Sequence, residues 1–148
     1  MYTTYGIAIV TLIAAGLVTI IVFLHYEVLN LLSKTLARLA WVGRPRVALL
    51  FCTLLMVHIA EIWIFACGFM LAEWHGGLGM LKGEHSQGVL DYVYYSSMTF
   101  TTVGYGDLFP IGPIRFIAAM EALSGFMLIT WSASFTYLEM VRFWRDRE

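Results

Sequence analysis

The run Thr101-Thr102-Val103-Gly104-Tyr105-Gly106-Asp107 lies between two unlike apolar segments, and that setting decides how the chain is read. Before it, residues 89–101 form an apolar piece too short to cross a bilayer, which takes about 20 residues. After it, residues 113–138 form one long enough to cross. Within the run, Val103 and Tyr105 alternate with Gly104 and Gly106. Glycine reaches left-handed backbone conformations without steric cost. The alternation therefore predicts an extended ribbon whose successive carbonyls turn the same way. Non-spanning backbone at membrane depth is tolerated only where protein buries it or it lines water. The pattern predicts a short re-entrant helix, then the ribbon, then a full span.

Composition supports a membrane setting for the whole chain. Of its 148 residues, 60% are hydrophobic and 13% charged, and the mean hydropathy is +0.78. A soluble domain is about 45–50% apolar and 25% charged. A net charge of −1 offers no basic surface for nucleic acid, so the expected partner is the lipid bilayer. Two further segments, residues 5–24 and 47–72, are long enough to span. The first lacks a basic start and has too long an apolar core for a cleaved secretory signal. Cys52 and Cys67 are about 22 Å apart along a helix, too far to bond, and read as small buried side chains.

Charge orients the spans. The connector 25–46 carries Lys34, Arg38, Arg44 and Arg46, and the tail carries Arg142, Arg145 and Arg147. The loop 73–88 carries only Lys82. Positive charge marks the cytoplasmic side, which puts the N-terminus and that loop outside and the C-terminus in the cytoplasm. Residues 26–42 place Val28, Leu29, Leu32, Leu36, Leu39 and Ala40 on one helical face, which suits an amphipathic helix at the inner interface. Gly43 and Pro45 then turn the chain into the second span. The connector's cations lack the regular spacing inside a span that a voltage sensor needs.

A cation crosses a membrane fast when its water oxygens are exchanged for others at little net cost, and rings of backbone carbonyls can do this. The order Thr-Val-Gly-Tyr-Gly at 102–106 is the known signature of potassium filters, so the reading rests on recognition as well as on chemistry. Over residues 47–138 the chain resembles the pore domain of the potassium channel family, in its prokaryotic two-helix form, with an additional N-terminal transmembrane helix. The resemblance implies an all-α membrane protein with three transmembrane helices, a re-entrant pore helix and a selectivity filter, assembled as a tetrameric pore. Residues 1–46 would be the N-terminal helix and interfacial connector. Residues 47–148 would be the pore domain, with outer helix 47–72, pore helix 89–101, filter 102–106 and inner helix 113–140.

The resemblance further implies potassium ions held by Thr102, Val103, Gly104 and Tyr105, with Gly106 completing the filter and no organic cofactor. One copy of the filter implies three identical partner subunits. The expected location is a prokaryotic plasma membrane. Asp107 is expected to bond a pore-helix side chain. Tyr94 stands where the bacterial proton-gated potassium channel has a tryptophan, and Met98 where that channel has a glutamate. That departure removes one carboxylate brace. His58, Glu61 and Glu121 are ionisable residues inside spans, where charge must be paired or face water. Glu61 and Glu121 fall near one depth, so either each is separately satisfied or neutral, or they form one cluster with His58 and pore-helix hydroxyls such as Ser97 that supports the filter. Gly125 is expected as either an inner-helix hinge or a close-packing site.

Ile129, Ala133 and Tyr137 recur at cavity-lining spacing, while Trp131, Ser132 and Ser134 read as helix packing. In the outer loop, Glu73, His75, Glu84 and His85 offer weak metal-ligand material. No nucleophile–base pair or phosphate loop points to an enzyme. Two other readings use the same scaffold: a weakly selective cation channel, and a subunit of an ion uptake transporter or a non-conducting regulatory partner. No gating stimulus is legible.

Overall fold

The computed structural model of the chain describes residues 4–38, 44–83 and 88–145. In chain order the elements are α1 (Thr4–Arg38), α2 (Arg44–His75), β1 (Met80–Gly83), α3 (Val89–Phe100), β2 (Leu108–Ile111) and α4 (Arg115–Arg145). Three helices, α1, α2 and α4, are long and apolar enough to cross a membrane. The fourth, α3, has 12 residues and rises about 18 Å, short of the hydrocarbon thickness. The fold is that of an all-α membrane channel, with one small β pairing.

Helix α1 differs from expectation. It continues as one helix through residues 26–38 in place of a span followed by a separate interfacial helix. Residues 25–38 contain neither glycine nor proline to end it. Its stripe of Leu29, Leu32 and Leu36 packs on Leu50 and Leu54 of α2, so the face expected at the membrane surface is used between helices. Leu39, Ala40 and Gly43 lie outside the described residues. Above this contact Val10, Ala14 and Ile21 of α1 are buried in the main core. The first helix therefore docks on α2 and α4 of its own chain.

The core lies where α2, α3 and α4 meet. Phe65 and Phe69 of α2, Phe100 of α3, and Ile114 and Ile117 before and within α4 are fully buried. Phe69 meets Tyr95 of α3 edge-on at 5.0 Å between ring centres. Outward-facing Leu12, Phe23, Leu55 and Trp63 are exposed, as befits side chains that meet lipid. Cys52 and Cys67 belong to this outward set. They are not buried as expected, because they fall on α2 positions that the other helices leave uncovered.

Strands β1 and β2 pair antiparallel, Met80 opposite Ile111 through Gly83 opposite Leu108. They join the segments that enter α3 and leave the ribbon, which fixes both ends of the re-entrant unit. Nothing in their sequence alternates strongly enough to predict them.

Helix α4 runs unbroken past Gly125. A Cβ at that position would lie 2.3 Å from the Phe100 carbonyl oxygen and 2.9 Å from the Phe100 ring. Close packing under the end of α3 thus accounts for the glycine. Gly125→Ala is expected to cost about 1–3 kcal/mol, since backbone has to move to admit the methyl group. A thermal unfolding midpoint equal to wild type in detergent would refute this packing role.

Candidate functional site

Helix α3 starts at Gly88, whose N–H donates to the Asp91 carboxylate at 2.9 Å, while the Asp91 N–H donates to the Gly88 carbonyl at 3.0 Å. The helix ends on Thr101, whose N–H donates to Ser97 and whose hydroxyl donates to the same carbonyl at 2.7 Å. The next amides keep bonding backward. Thr102 N–H donates to Thr99 at 3.0 Å, and Gly104 N–H to Met98 at 3.1 Å. The ribbon is thereby tied to the C-terminal end of α3, where the helix dipole concentrates partial negative charge.

Along the ribbon φ is positive at Thr102 (61°), Gly104 (54°) and Gly106 (82°) and not at Val103 or Tyr105. This alternation of hand is what the glycine spacing predicted for 104 and 106. Thr102 was not predicted. A β-branched residue held left-handed costs about 1–2 kcal/mol, and such strain persists only where the surroundings fix it. Residues 101–107 are all exposed in the single chain.

Two tyrosines of α3 anchor the outer side. The Asp107 carboxylate lies near the Tyr94 phenol and, as a hydrogen-bond acceptor for it, is the first cause raising that phenol above its usual range. The two residues expected to pair at the end of the ribbon are therefore neighbours. The Tyr92 hydroxyl donates to Glu73 at 3.0 Å, and the same carboxylate oxygen accepts from the Leu81 N–H at 3.3 Å. This links α3, α2 and β1 at one acceptor. Burial first, then the Glu73 bond, push the Tyr92 phenol up to about 12. Glu73 thus serves as a structural link, and His75 bonds the neighbouring Gly76 carbonyl. Glu84 and His85 lie outside the described residues.

Of the two arrangements open for His58, Glu61 and Glu121, the structure shows separate satisfaction: Glu121 takes a hydroxyl of α3 and the other two form their own group. Glu121 of α4 bonds Ser96, whose hydroxyl also reaches the Ile62 carbonyl at 2.8 Å. Ser96 has one hydroxyl hydrogen and cannot give it to both. The arrangement closes when Glu121 carries a proton and donates to Ser96, which donates to Ile62. The second Glu121 carboxyl oxygen is buried with no partner among the described residues, a cost far smaller for a neutral acid than for an anion. Ser97 faces away and donates to Tyr94 in its own helix. Sequence spacing could not choose between adjacent serines whose side chains differ by about 100° around the helix.

His58 and Glu61 instead meet His25 of α1 and Ser132 of α4. The Glu61 carboxylate accepts from both histidines at Nδ1, each at 2.8 Å. Ser132 Oγ lies 3.1 Å from His58 Nε2 and 3.3 Å from His25 Nε2. His25, His58 and Glu61 each offer a ligand atom within 4.8 Å of the others, so these three are the candidates for a metal among the described residues. His25 was missed because it was assigned to the connector. Trp131 lies against it, ring centres 5.4 Å apart.

Near the C-terminal end of α4, Glu139 accepts from Arg46 of α2 at 3.4 Å and from Arg142 at 2.8 Å. Ile129, Ala133 and Tyr137 face outward from this chain. Chemically, the molecule offers an exposed ribbon of alternating backbone hand at the end of a short helix, with hydrogen-bonded polar groups behind that helix.

A protein-family model described as an ion channel matches residues 52–141. The chain belongs to that ion channel family. The matched stretch covers α3, the ribbon and most of α2 and α4. Protein LctB from Bacillus caldotenax is 53% identical over 38 residues, 26% of this chain and 28% of the relative. Protein LctB from Geobacillus stearothermophilus is 50% identical over 38 residues, with the same shares. The match thus spans little more than a quarter of either curated relative. No solved structure matches the chain. Family and fold together make this an integral membrane protein and point away from an enzyme.

The Tyr92 anchor has a pH signature. A phenol raised from 10.0 to about 12 on folding keeps its proton longer in the folded chain. Its stabilisation is complete below about pH 10 and is lost as pH rises through 12. The thermal midpoint is expected to fall across that window in wild type, and less steeply in Tyr92→Phe. Equal slopes would refute the anchor.

Proposed function

We propose that the chain is one subunit of a potassium-selective channel, conducting K⁺ passively through a homotetrameric pore. The observation that carries this reading is the alternation of left-handed positions at Thr102, Gly104 and Gly106, the backbone pattern that a strip of aligned carbonyls requires. One strip cannot surround an ion. Four copies about an axis can, and the exposure of 101–107 in the single chain leaves those carbonyls available to such a ring. An entering ion loses its water oxygens as carbonyls of Thr102, Val103, Gly104 and Tyr105 replace them, with the Thr102 hydroxyl adding an inner oxygen ring. Gly106 lets the strip open toward the mouth. Four α3 C-terminal ends aimed at the axis would favour a cation below the filter.

Filter support on this reading falls to Asp107 with Tyr94 at the mouth and to Glu121 through Ser96 behind α3. The outward α4 face with Ile129, Ala133 and Tyr137 would line the cavity. Gly125 would keep α4 seated beneath α3, and any bend of the inner helix would occur against that contact. The cationic connector and tail favour an N-terminus outside and a cytoplasmic C-terminus, in a prokaryotic plasma membrane.

The test is flux through the purified chain in liposomes. The expected result is a reversal potential near the potassium equilibrium value in mixed sodium and potassium, from particles with the mass of four 16.8 kDa chains. Gly104→Ala is expected to abolish or strongly reduce the current, because a Cβ at φ +54° strains the ribbon even with space around it. A reversal potential midway between the two ions would favour a weakly selective cation channel. Absence of flux would favour the transporter-subunit or regulatory reading.

A further inference from the structure

Helix α2 places His58 and Glu61 three positions apart, so both side chains leave one face of the helix, and α1 brings His25 against that face. Metal sites in helical bundles are built this way, from Glu and His at that spacing on facing helices. His25 and Glu61 are fully buried, while His58 keeps 17% of its side chain exposed, which gives an ion a way in. Each Glu61 oxygen lies 2.8 Å from one histidine Nδ1. One ligand atom from each of the three residues falls within 4.8 Å of the other two. A tetrahedral ion with bonds of about 2.0–2.2 Å sets its ligand atoms about 3.3–3.6 Å apart. An ion between Glu61 and the two Nδ1 atoms is therefore admitted by side-chain shifts of less than about 1 Å.

The far side of both imidazoles suits the same ion. Both Nε2 atoms face the one hydroxyl of Ser132, at 3.1 and 3.3 Å. That oxygen has two lone pairs and one hydrogen. A metal on each Nδ1 leaves each ring's hydrogen on Nε2, and the two lone pairs of Ser132 accept both. Ligating histidines have such a partner on the other nitrogen, which fixes the tautomer and the orientation of the ring. Ser132 is nearly buried and belongs to α4, so the ring of four side chains joins three helices. Two imidazoles, one carboxylate and an open fourth position form a zinc arrangement. Zinc with one carboxylate leaves one positive charge, which is expensive inside a bilayer. A hydroxide in the fourth position cancels that charge, and zinc brings its bound water into the neutral range.

We propose that His25, His58 and Glu61 bind one divalent transition-metal ion of the zinc class, with Ser132 holding both imidazoles from the far side, and that the ion clamps α1 to α2. The clamp adjoins the support of the ribbon, because the His58 ring lies 5.8 Å from that of Phe100, whose carbonyl oxygen sits over Gly125. It does not depend on which ion the pore passes.

The test uses the full chain carrying His75→Gln and His85→Gln, which remove the two outer-loop histidines. It is purified in detergent, stripped with EDTA, exposed to zinc chloride and desalted. The expected metal content is one zinc per chain in this background, and close to none once Glu61→Gln or His58→Leu is added. Ser132→Ala is expected to weaken zinc binding about 10- to 100-fold. Zinc is expected to raise the thermal midpoint of the background chain and to leave that of Glu61→Gln unchanged. With a ¹⁵N-histidine label, zinc is expected to shift the Nδ1 signals of both remaining histidines. A background chain that takes up no zinc at saturating concentration overturns the proposal; a ring closed by a protonated Glu61 between two neutral imidazoles gives that result. One zinc per chain that leaves both Nδ1 signals unmoved also overturns it, since the ion then sits elsewhere. Metal content and spectrum of the chain that keeps all three ligands decide the matter even if Glu61→Gln and His58→Leu do not fold.

Discussion

Backbone that leaves helical geometry inside a membrane has to find partners for its N–H and C=O groups, and the rest of this structure is arranged around that constraint. The ribbon at 102–106 meets it on one side only. Its amides at Thr102 and Gly104 reach back to Thr99 and Met98, so α3 supplies the donors' partners. Its carbonyls are left for something else. A structure with that asymmetry needs a rigid support for the donor side, and α3 is held at both ends to provide it. The Tyr92–Glu73–Leu81 bonds fix its outer part, and Phe100 seated on Gly125 fixes its inner part.

The supports are polar where hydrophobic packing would have been cheaper. A buried carboxyl gains little stability on its own, because desolvation offsets the bonds it makes. What it supplies is geometry. Glu121 sets α4 against Ser96 and the Ile62 carbonyl, joining three helices behind the ribbon. The histidine ring does the same one level inward for α1, α2 and α4. Leucine contacts let helices slide by small steps, whereas hydrogen-bonded groups fix one register. The first helix is thereby tied to the unit that carries the ribbon, with Leu17 against Gly68 as well as His25 on Glu61.

Much of the fold was legible from residues alone. Three long apolar runs, a short one, and a Gly-alternating run between them sufficed for element order, because hydrophobic length is a local property that the bilayer reads directly. Helix bounds moved by a few residues at the ends of α2 and α4, as caps and loops adjusted them. The continuation of α1 was not legible, since residues 26–38 carry an apolar stripe that suits a membrane surface and a partner helix equally. The β1–β2 pairing was not legible either, because Pro110 and Gly83 speak against strands and only the return of the chain beside itself pairs them.

By itself the sequence determined that this chain lives in a membrane, that a short helix delivers a glycine-alternating ribbon, and that ionisable residues in the spans require partners. Those conclusions follow from side-chain chemistry and period, which each segment carries with it. Which partners meet was decided by tertiary structure alone. Glu121 took Ser96 and not Ser97, Glu61 took a histidine 36 residues away on α1, and Gly125 proved to sit under a carbonyl. Helix rotation and crossing set those pairings, and rotation is fixed only when three helices pack together. The left-handed Thr102 has the same origin, since a β-branched residue takes that conformation only when α3 and the ribbon leave it no other.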